Sequence, residues 1–296
     1  MNIITPEPRS FAVVGGDLRQ VCLARLLARD RHRVYTYANE SRDHNEQDAA
    51  LTEVASPAAF PKGCVVILPL PAEEGGFITA PLSKVRIPAA ELLDSFEPGT
   101  LICAGRASVT LHEECEKRGL VLADYFEREE LTVMNALATA EAAVTLAAEN
   151  LPITLREARA LVVGFGRIGK LLTLELKGLG CRVSASARKY EDLAWATAFG
   201  AHAVQTSAID GIIQDYDVIF NTVPVTVLGR SALERMRSEA LIIDLASKPG
   251  GVDWAAAGEL GTNVIWALSL PGKTSPVTAG RIIRDSIYNI LGDGGV

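Results

Sequence analysis

The segment Ala160–Gly169, with the sequence ALVVGFGRIG, decides the fold of the second half of the chain. Its apolar run predicts a buried strand, and Gly164–Gly169 matches the G-x-G-x-x-G pattern between a strand and a helix in dinucleotide-binding units. The first glycine permits a tight turn, the second lets a pyrophosphate approach the backbone, and the third lets helix and strand pack closely. Amides at the helix N-terminus would then hold the phosphates. The alternative is a glycine-rich turn without a ligand.

Short apolar runs alternate with longer segments of helical spacing along the chain, which predicts an α/β fold with parallel sheets. Both halves open with a strand, glycines and a helix, so we expect two doubly wound, Rossmann-like domains linked by long helices. The predicted strands are Phe11–Val14, Val34–Tyr37, Val65–Leu68, Thr100–Ala104, Leu120–Leu122, Ala160–Val163, Arg182–Ala185, Val218–Asn221, Leu241–Asp244 and Val264–Trp266. The predicted helices are Leu18–Arg29, a helix from the glycine loop to Leu179, Tyr190–Phe199 and Arg230–Met236.

The segment Leu131–Asn150 is rich in alanine and lacks glycine and proline, which favours a long linking helix. It separates a predicted substrate or catalytic domain, residues 1–130, from a predicted NAD(P)-binding domain, residues 151–276. Near the C-terminus, Val277–Leu291 carries isoleucines at helical spacing. We therefore expect a helix within residues 277–296 that completes the first domain. The irregular residues 72–90 are interpreted as a loop with short elements.

The composition narrows the function. The chain has 296 residues, enough for two domains, with 29 Lys and Arg against 36 Asp and Glu, and its net charge is −7. Such an acidic chain is a poor partner for nucleic acid or an anionic membrane, because phosphate contacts need clustered cations. The most apolar stretches, such as Cys64–Leu70 and Leu241–Ala246, are shorter than the ~20 residues that cross a bilayer. A cytoplasmic protein is expected.

The sequence does not show the patterns typical of a metal site or of an activated serine nucleophile. The five cysteines form no CxxC pair, so neither a disulfide framework nor a structural zinc site is expected. The four histidines, His32, His44, His112 and His202, are isolated from one another, which argues against a metal cluster. The 2-hydroxyacid dehydrogenases of similar layout use a His–acid pair from nearer the C-terminus, and that pair cannot be assembled here in the same way. No G-x-S-x-G elbow occurs.

The residues after the second strand of the NAD(P) domain decide which nucleotide binds. An NAD site carries an acid there for the ribose 2′-hydroxyl, whereas this chain has Ser186, Arg188 and Lys189 and no acid before Glu191. These donors and cations suit a 2′-phosphate, so NADP is favoured and NAD is the second choice. The alternative is that both cations are merely solvated. The loops after the next two strands should reach the nicotinamide side. The predicted cofactor residues are Gly164, Phe165, Gly166, Arg167, Ile168, Gly169, Ser186, Arg188, Lys189, Thr222, Val223, Pro224 and Ala246.

Together these motifs resemble the family of the dipicolinate synthase A subunit over most of the chain. The run Ile243–Asp253 is the most specific part of the resemblance. Lys248 stands where the family pattern has Arg, and Ser269 where it has Gly. The other matching segments are Val14–Asp17 with Arg19 and Gln20, Phe126–Arg128, Asn135 with Thr139–Glu141, the glycine loop, Asn221–Pro224, Leu270–Gly272, Pro276 and Thr278–Gly280.

The resemblance implies an activity and a partner. A dihydrodipicolinate, formed from 4-hydroxy-tetrahydrodipicolinate by loss of water, would be oxidised to dipicolinate with NADP⁺ accepting the hydride. The expected setting is the mother-cell cytoplasm of a sporulating bacterium, on a branch from lysine biosynthesis. The expected partner is a flavoprotein-like B subunit, and a homo-oligomer is also considered. The alternatives are another two-domain NAD(P)-dependent dehydrogenase, an adenosylhomocysteine hydrolase-like enzyme, or a nucleotide-binding subunit without catalysis.

A dicarboxylate substrate requires cations and neutral donors, because buried charge must be paired. Arg19 follows a glycine turn at a predicted helix N-terminus, and a solvated helix arginine is the alternative. Glu141, in an otherwise small or apolar helix, is the candidate base, since burial could raise its pKa. It lies about 200° from Thr139 around an ideal helix, whereas Asn135 lies about 40° from Thr139. An interface salt bridge is the other interpretation of Glu141. The predicted substrate-binding residues are Arg19, Asn135, Thr139 and Ser247, and the predicted catalytic residues are Glu141 and Lys248.

Overall fold

The structure, a computed structural model, describes residues 5–39 and 51–294. His44 and the last two residues of the predicted C-terminal segment lie outside the described residues. Contacts divide the chain into two compact units, Met1–Met134 with Ser275–Val296, and Asn135–Thr274.

The strands of the described residues follow the alternation that the sequence predicts. They are β1 Ser10–Val14, β2 Arg33–Tyr37, β3 Leu51–Glu53, β4 Val65–Ile67, β5 Glu73–Glu74, β6 Phe77–Ile78, β7 Ile87–Pro88, β8 Leu101–Ala104, β9 Val121–Asp124, β10 Arg159–Val163, β11 Arg182–Ala187, β12 His202–Gln205, β13 Val218–Asn221, β14 Leu241–Asp244 and β15 Asn263–Trp266. The helices are α1 Leu18–Arg29, α2 Ala89–Leu93, α3 Val109–Lys117, α4 Glu129–Asn150, α5 Arg167–Gly178, α6 Tyr190–Ala198, α7 Arg230–Leu233, α8 Trp254–Leu260, α9 Leu270–Thr274 and α10 Pro276–Gly294.

Each unit contains one six-stranded parallel sheet. The strand orders are β3-β2-β1-β4-β8-β9 in the first unit and β12-β11-β10-β13-β14-β15 in the second. Counted within its own sheet, each order is 3-2-1-4-5-6, the order of the dinucleotide-binding fold, with a topological switch beside the first strand. The predicted fold class, two doubly wound domains with parallel sheets, is confirmed.

Both sheets are buried on their two faces. In β10, Ala160 and Val162 belong to one apolar cluster and Leu161 and Val163 to another, as expected for a strand covered by helices on both sides. In the first unit, β1 divides between two clusters in the same way. These continuous apolar runs explain why the strands could be predicted from the sequence.

Several elements were not predicted. The strands β3 and β12 are short edge strands, and β12 begins with an exposed His202. The helices α2, α8 and α9 have seven residues or fewer, too short to show a helical period. Residues 73–88, predicted as a loop with short elements, contain a small antiparallel sheet in the order β5-β6-β7.

The helix α4 corrects one expectation. With 22 residues, Glu129–Asn150 is long and apolar enough to cross a membrane by length and composition, although we expected no segment to approach that limit. Its alanines pack into the core of the second unit, where Ala140, Ala143 and Ala147 are fully buried. A buried, alanine-rich core helix passes the same test, so α4 is weak evidence for a membrane span.

The helix α10 belongs to the first unit. Its isoleucines and Leu291 join the core cluster that contains β1 and α1 residues. A hydrogen-bonded chain fixes it further. Arg9 N–H donates to Nδ1 of the buried His32 (3.2 Å), so Nε2 carries the proton toward Tyr288 Oη (2.9 Å), which donates to Asp30 Oδ2 (2.8 Å). Burial lowers the pKa of His32, and the Asp30 charge offsets only part of this effect.

The neutral state of His32 predicts a pH-dependent stability. The pKa of His32 is lower in the folded than in the unfolded chain. Its contribution to the free energy of unfolding is therefore complete above about pH 6.5 and is lost as the pH falls through the folded pKa. We expect the unfolding temperature to decrease from about pH 7 to pH 5, and His32→Gln to flatten this profile. The exposed His202→Gln is the matched control and should behave as wild type. Equal profiles for both variants in calorimetry would contradict this role of His32.

Candidate functional site

The glycine loop joins the central strand β10 to α5 at the carboxyl edge of the second sheet. Gly164 has a φ of +93°, and a Cβ there would lie 2.5 Å from Thr222 Oγ1. A Cβ on Gly169 would lie 2.1 Å from the Gly164 carbonyl oxygen. In contrast, no atom lies within 4 Å of a Cβ built on Gly166. Two glycines are therefore required by packing, whereas the middle one keeps its surroundings open.

The open glycine is the N-cap of α5. Gly166 provides no side-chain hydrogen bond to the helix, and the first turn carries no acidic residue. The backbone N–H groups of the first turn therefore have no side-chain cap, and they carry the positive end of the helix dipole. Arg167 and Ile168 lie in this turn. The arrangement suits a pyrophosphate, the anion that such turns bind.

The strands β11 and β13, which flank β10, end at the same edge of the sheet as β10. Val163 is paired in register with Ser186 of β11 and Asn221 of β13. Thr222 then folds over the end of β10, with its hydroxyl donating to the Val163 carbonyl at 2.9 Å. Thr222 and Val223 therefore adjoin the glycine loop, beside the switch point where ligands bind in such sheets.

A buried pair, Asn221 and Asp244, holds two of these loops. Both side chains are fully buried, and Asn221 Nδ2 donates to Asp244 Oδ1 at 2.7 Å. The carboxylate also accepts from the backbone N–H groups of Ala246 (3.0 Å) and Gly251 (2.8 Å). The pair thus shapes the loop that carries Ser247. This role is not among the sequence predictions. The only signal in the sequence is that Asn221 and Asp244 are polar residues at the ends of apolar strands, and the sequence does not show that the two side chains pair.

The three residues predicted to bind a 2′-phosphate differ in their exposure to solvent. Arg188 and Lys189 are exposed directly after β11, at the carboxyl edge of the sheet. Lys189 Nζ lies 3.1 Å from Glu191 Oε1. Ser186 is fully buried in β11 and its hydroxyl is shielded from solvent, so its side chain is not presented to a nucleotide. The prediction for the Ser186 side chain is corrected, because its position in the strand places it in the buried interior.

Two further cofactor residues are buried. The Phe165 ring packs in the core with its centroid 5.9 Å from that of Phe199, which leaves only its backbone at the loop. Ala246 is buried, and its carbonyl accepts from Trp266 Nε1 at 3.1 Å. Any contact of Phe165 or Ala246 with a cofactor would therefore be made by the backbone, and both residues stay predicted cofactor residues. Pro224, Ser247 and Lys248 are exposed at the same edge.

The three predicted site residues of α4, which are Asn135, Thr139 and Glu141, lie in different environments. Thr139 is buried and its hydroxyl donates to the Asn135 carbonyl (2.8 Å), so this proton is already used within the helix. Asn135 itself is half-buried. Glu141 is exposed, which overturns the expectation that burial would make it a base. A carboxyl whose pKa is raised lies on α5 instead: burial, with a smaller effect of the Glu141 charge, raises the pKa of Glu175 to about 7.

Arg19 is not a solvated helix arginine. It is 7% exposed, and its Nε and Nη2 bind the Asp17 carboxylate at 2.8–3.1 Å. Nη2 also donates to the Leu70 carbonyl at 2.5 Å. Asp17 in turn caps α1 by accepting from the Arg19 backbone N–H. These internal partners hold Arg19 between α1 and the segment that follows β4, and its role as a substrate anchor stays a prediction.

Two family models cover most of the chain. Residues 10–126 match the N-terminal domain of the dipicolinate synthase A subunit, and residues 133–250 match the NAD-binding domain of D-isomer specific 2-hydroxyacid dehydrogenases. The dipicolinate synthase A subunit of Bacillus subtilis (strain 168) is 28% identical over 285 residues, which is 96% of each chain. The chain resembles this protein along nearly its whole length.

Solved structures support this resemblance. The crystal structure of the dipicolinate synthase A subunit from Bacillus halodurans has a TM-score of 0.86 at 26% identity, covering 96% of this chain and 97% of that one. The corresponding crystal structure from Bacillus subtilis has a TM-score of 0.85 at 27% identity, covering 97% of both chains. The second unit therefore resembles NAD-binding dehydrogenase domains, and its open turn at Gly166 suits the pyrophosphate of a nicotinamide dinucleotide.

Neither His32 nor His202 is placed to act as the base of a 2-hydroxyacid dehydrogenase. His202 is the last histidine in the sequence, and it begins β12 at the amino edge of the sheet, opposite the glycine loop. His32 is buried in the first unit with structural partners. Among residues 5–39 and 51–294, no group of three metal-binding side chains occurs.

The surroundings of the two glycines predict a loss of stability for Gly169→Ala and a loss of cofactor affinity for Gly166→Ala. Gly169→Ala forces a Cβ against the Gly164 carbonyl and should lower the free energy of unfolding by about 1–3 kcal/mol. Gly166→Ala meets no protein atom, so stability should change by less than about 1 kcal/mol, while the added methyl group obstructs the cofactor. Denaturant unfolding and nucleotide titration of both variants test this. Normal cofactor affinity in Gly166→Ala would contradict the assignment of the turn.

Proposed function

We propose that this chain is the nicotinamide-dependent subunit of a dipicolinate synthase, which oxidises a dihydrodipicolinate to dipicolinate with NADP⁺. The observation that carries the proposal is the resemblance over 96% of the chain, joined to an open phosphate-binding turn in the second unit. The dihydrodipicolinate would form from 4-hydroxy-tetrahydrodipicolinate by loss of water. Its oxidation removes a hydride and a proton and leaves an aromatic ring.

The second unit would hold the cofactor. When bound, the nicotinamide supplies the hydride acceptor. The α5 N-terminus would bind the pyrophosphate through its uncapped amides, and the Thr222–Val223 turn would lie beside it. The Asn221–Asp244 pair fixes the loop with Ser247 and Lys248, whose exposed side chains would meet a carboxylate of the substrate.

NADP is the proposed nucleotide and NAD the second choice. Arg188 is exposed at the carboxyl end of β11, and within the described part of the chain no hydrogen bond or ion pair of its side chain occupies it. A guanidinium is a good partner for a 2′-phosphate because it is always charged and donates in a planar fork. Lys189 adds a second cation, although Glu191 lies beside it.

The remaining assignments are proposed on the resemblance to dipicolinate synthase A subunits. An A subunit implies a second polypeptide, so the proposed partner is a B subunit, and the proposed role is in sporulation within the mother-cell cytoplasm. The first unit would then serve the substrate and the second the nucleotide. Asn135 stays a proposed substrate contact, because its side chain is half-buried. The exposed Lys248 is the proposed catalytic cation, and the proton acceptor is not assigned to Glu141.

The nucleotide preference can be measured by calorimetry. Arg188→Ala should weaken NADP by about 1.5–3 kcal/mol, the size of a charge-assisted hydrogen bond, and leave NAD nearly unchanged. Arg182→Ala is the matched control, because this exposed arginine begins the same strand at the opposite edge. Equal losses for NADP and NAD in Arg188→Ala would refute the 2′-phosphate contact.

The activity is tested by reconstitution. The chain, its proposed partner, NADP⁺ and freshly made 4-hydroxy-tetrahydrodipicolinate should together produce the absorbance of a pyridine dicarboxylate. Omitting NADP⁺ should abolish the signal. Oxidation that proceeds without the chain, with only NADP⁺ and the B subunit present, would show that this protein is not the oxidoreductase.

A further inference from the structure

The loop after β8 holds an arginine in a strained backbone conformation. Arg106 has a φ of +54°, in the left-handed region that costs an L-residue free energy and favours glycine. Arg31 has a similar φ of +68°, but it follows the C-cap of α1, where left-handed residues commonly end a helix. Arg106 ends no helix, since it comes two residues after β8, at the carboxyl edge of the first sheet. Strain of this kind persists only where the surrounding structure imposes it.

One carboxylate imposes this conformation. Asp124 Oδ1 accepts from the Arg106 backbone N–H at 2.9 Å, and Oδ2 accepts from the Ala107 N–H at 2.7 Å. Oδ1 also accepts from the Phe126 N–H at 2.7 Å, so the same carboxylate caps the short turn after β9. Asp124 is paired in register with Ala104, the last residue of β8. The neighbouring strand therefore holds the backbone of Arg106.

The preceding glycine is fixed from the other side. Gly105 is buried, and a Cβ there would lie 2.6 Å from atoms of the Tyr125 ring. Its N–H donates to the Pro69 carbonyl at 3.1 Å, and its own carbonyl accepts from the Ala72 N–H at 2.8 Å. These two hydrogen bonds join the loop after β8 to the loop after β4. The Arg106 side chain thus starts from a backbone that is held on both sides.

The Arg106 guanidinium has no counter-charge. The side chain is exposed, and among residues 5–39 and 51–294 it makes no hydrogen bond or ion pair. In contrast, Arg19, after β1, binds the Asp17 carboxylate at 2.8 Å. Arg128, after β9, has its Nε 2.7 Å from Glu130 Oε1. A strained backbone that presents an unpaired guanidinium points to an anion that this side chain would bind.

The loop lies beside the place where sheets of this order bind ligands. The topological switch lies between β1 and β4, and β4 is the neighbour of both β1 and β8. Since neighbouring strands are about 5 Å apart, the end of β8 is about 5 Å from that of β4. The Gly16 N–H in the turn after β1 already donates to the Thr79 carbonyl at 2.8 Å. An anion at this edge therefore depends on side-chain cations, of which Arg106 is unpaired.

We propose that Arg106 binds one carboxylate of the substrate and makes the first unit select cyclic dicarboxylates over monocarboxylates. The planar guanidinium can donate two parallel hydrogen bonds to a carboxylate, and it is always charged. The fixed backbone reduces the conformational freedom that is lost when the ligand binds. This inference rests on the proposed function, whose substrate and product both carry two carboxylates.

Two pyridine ligands test the selection on the full chain with NADP⁺ present. Pyridine-2,6-dicarboxylate, the proposed product, and pyridine-2-carboxylate share the ring, its nitrogen and one carboxylate. Calorimetry in metal-free buffer should show that wild type binds the dicarboxylate at least tenfold more tightly. Arg106→Gly should reduce this preference to less than twofold and leave the NADP Kd unchanged. It should also keep or raise the unfolding temperature, since glycine adopts a positive φ without strain.

Arg31→Gly is the matched control, because it relieves the same strain at another exposed arginine of the first unit, and it should keep the preference. Unchanged preference in Arg106→Gly would show that the arginine is merely solvated. A lower unfolding temperature with both ligands weakened alike would show a structural role. Equal affinities for the two ligands in wild type would refute the selection itself.

Turnover separates this inference from the proposed function. In the reconstituted system, Arg106→Gly should raise KM at least tenfold with kcat nearly unchanged. Arg106→Lys, which keeps the charge but not the planar fork, should recover part of this loss. A wild-type KM in Arg106→Gly would refute the inference and leave the proposed function standing. A wild-type chain that prefers the dicarboxylate but turns over no substrate would refute only the proposed function.

Discussion

The approach of α5 to β10 is the constraint on which the second unit depends. A Cβ at Gly169 would lie 2.1 Å from the Gly164 carbonyl, so the helix can start directly above the strand only if residue 169 has no side chain. This closeness brings the uncapped helix N-terminus to the edge of the sheet, beside Thr222. The loops with Ser247 and Lys248 then extend the same edge, held in place by the Asn221–Asp244 pair.

The two units share one topology but differ in the turn that follows the first strand of each sheet. Both sheets have the same strand order, yet the six-residue turns after β1 and β10 share only their first glycine. Where the second unit has Gly166 and Gly169, the first has Asp17 and Gln20, which replace open backbone with a carboxylate and an amide. Backbone amides suit phosphates of any nucleotide, whereas side-chain groups can match a small ligand atom by atom. Fold alone therefore does not state which ligand each unit takes.

The sequence predicted the sheets well and the polar side chains poorly. Strands such as Val218–Asn221 and Leu241–Asp244 are continuous apolar runs, and their predicted bounds agree with the structure. The glycine loop could be interpreted because Gly164 and Gly169 are required by local packing and Gly166 leaves open space at the helix N-terminus. The burial of Ser186 and the exposure of Glu141 could not be predicted, nor could the partners of Arg19, because exposure and pairing depend on residues distant in the chain, such as Leu70 beside Arg19. Periodicity records which face of an element is apolar, but it does not record which partner a polar group meets.

The place of α10 in the first unit has a consequence for synthesis of the chain. Four apolar residues of α10 are part of the core around β1: Ile282, Ile283, Ile287 and Leu291. In the sequence, however, the 140 residues of the second unit, Asn135–Thr274, separate α10 from the rest of the first unit. A chain emerging from the ribosome therefore exposes an incomplete apolar surface on its first unit until the last helix is released. The second unit is continuous in sequence and can close its core earlier. The core of the first unit is thus complete only after the whole second unit and α10 have been synthesised.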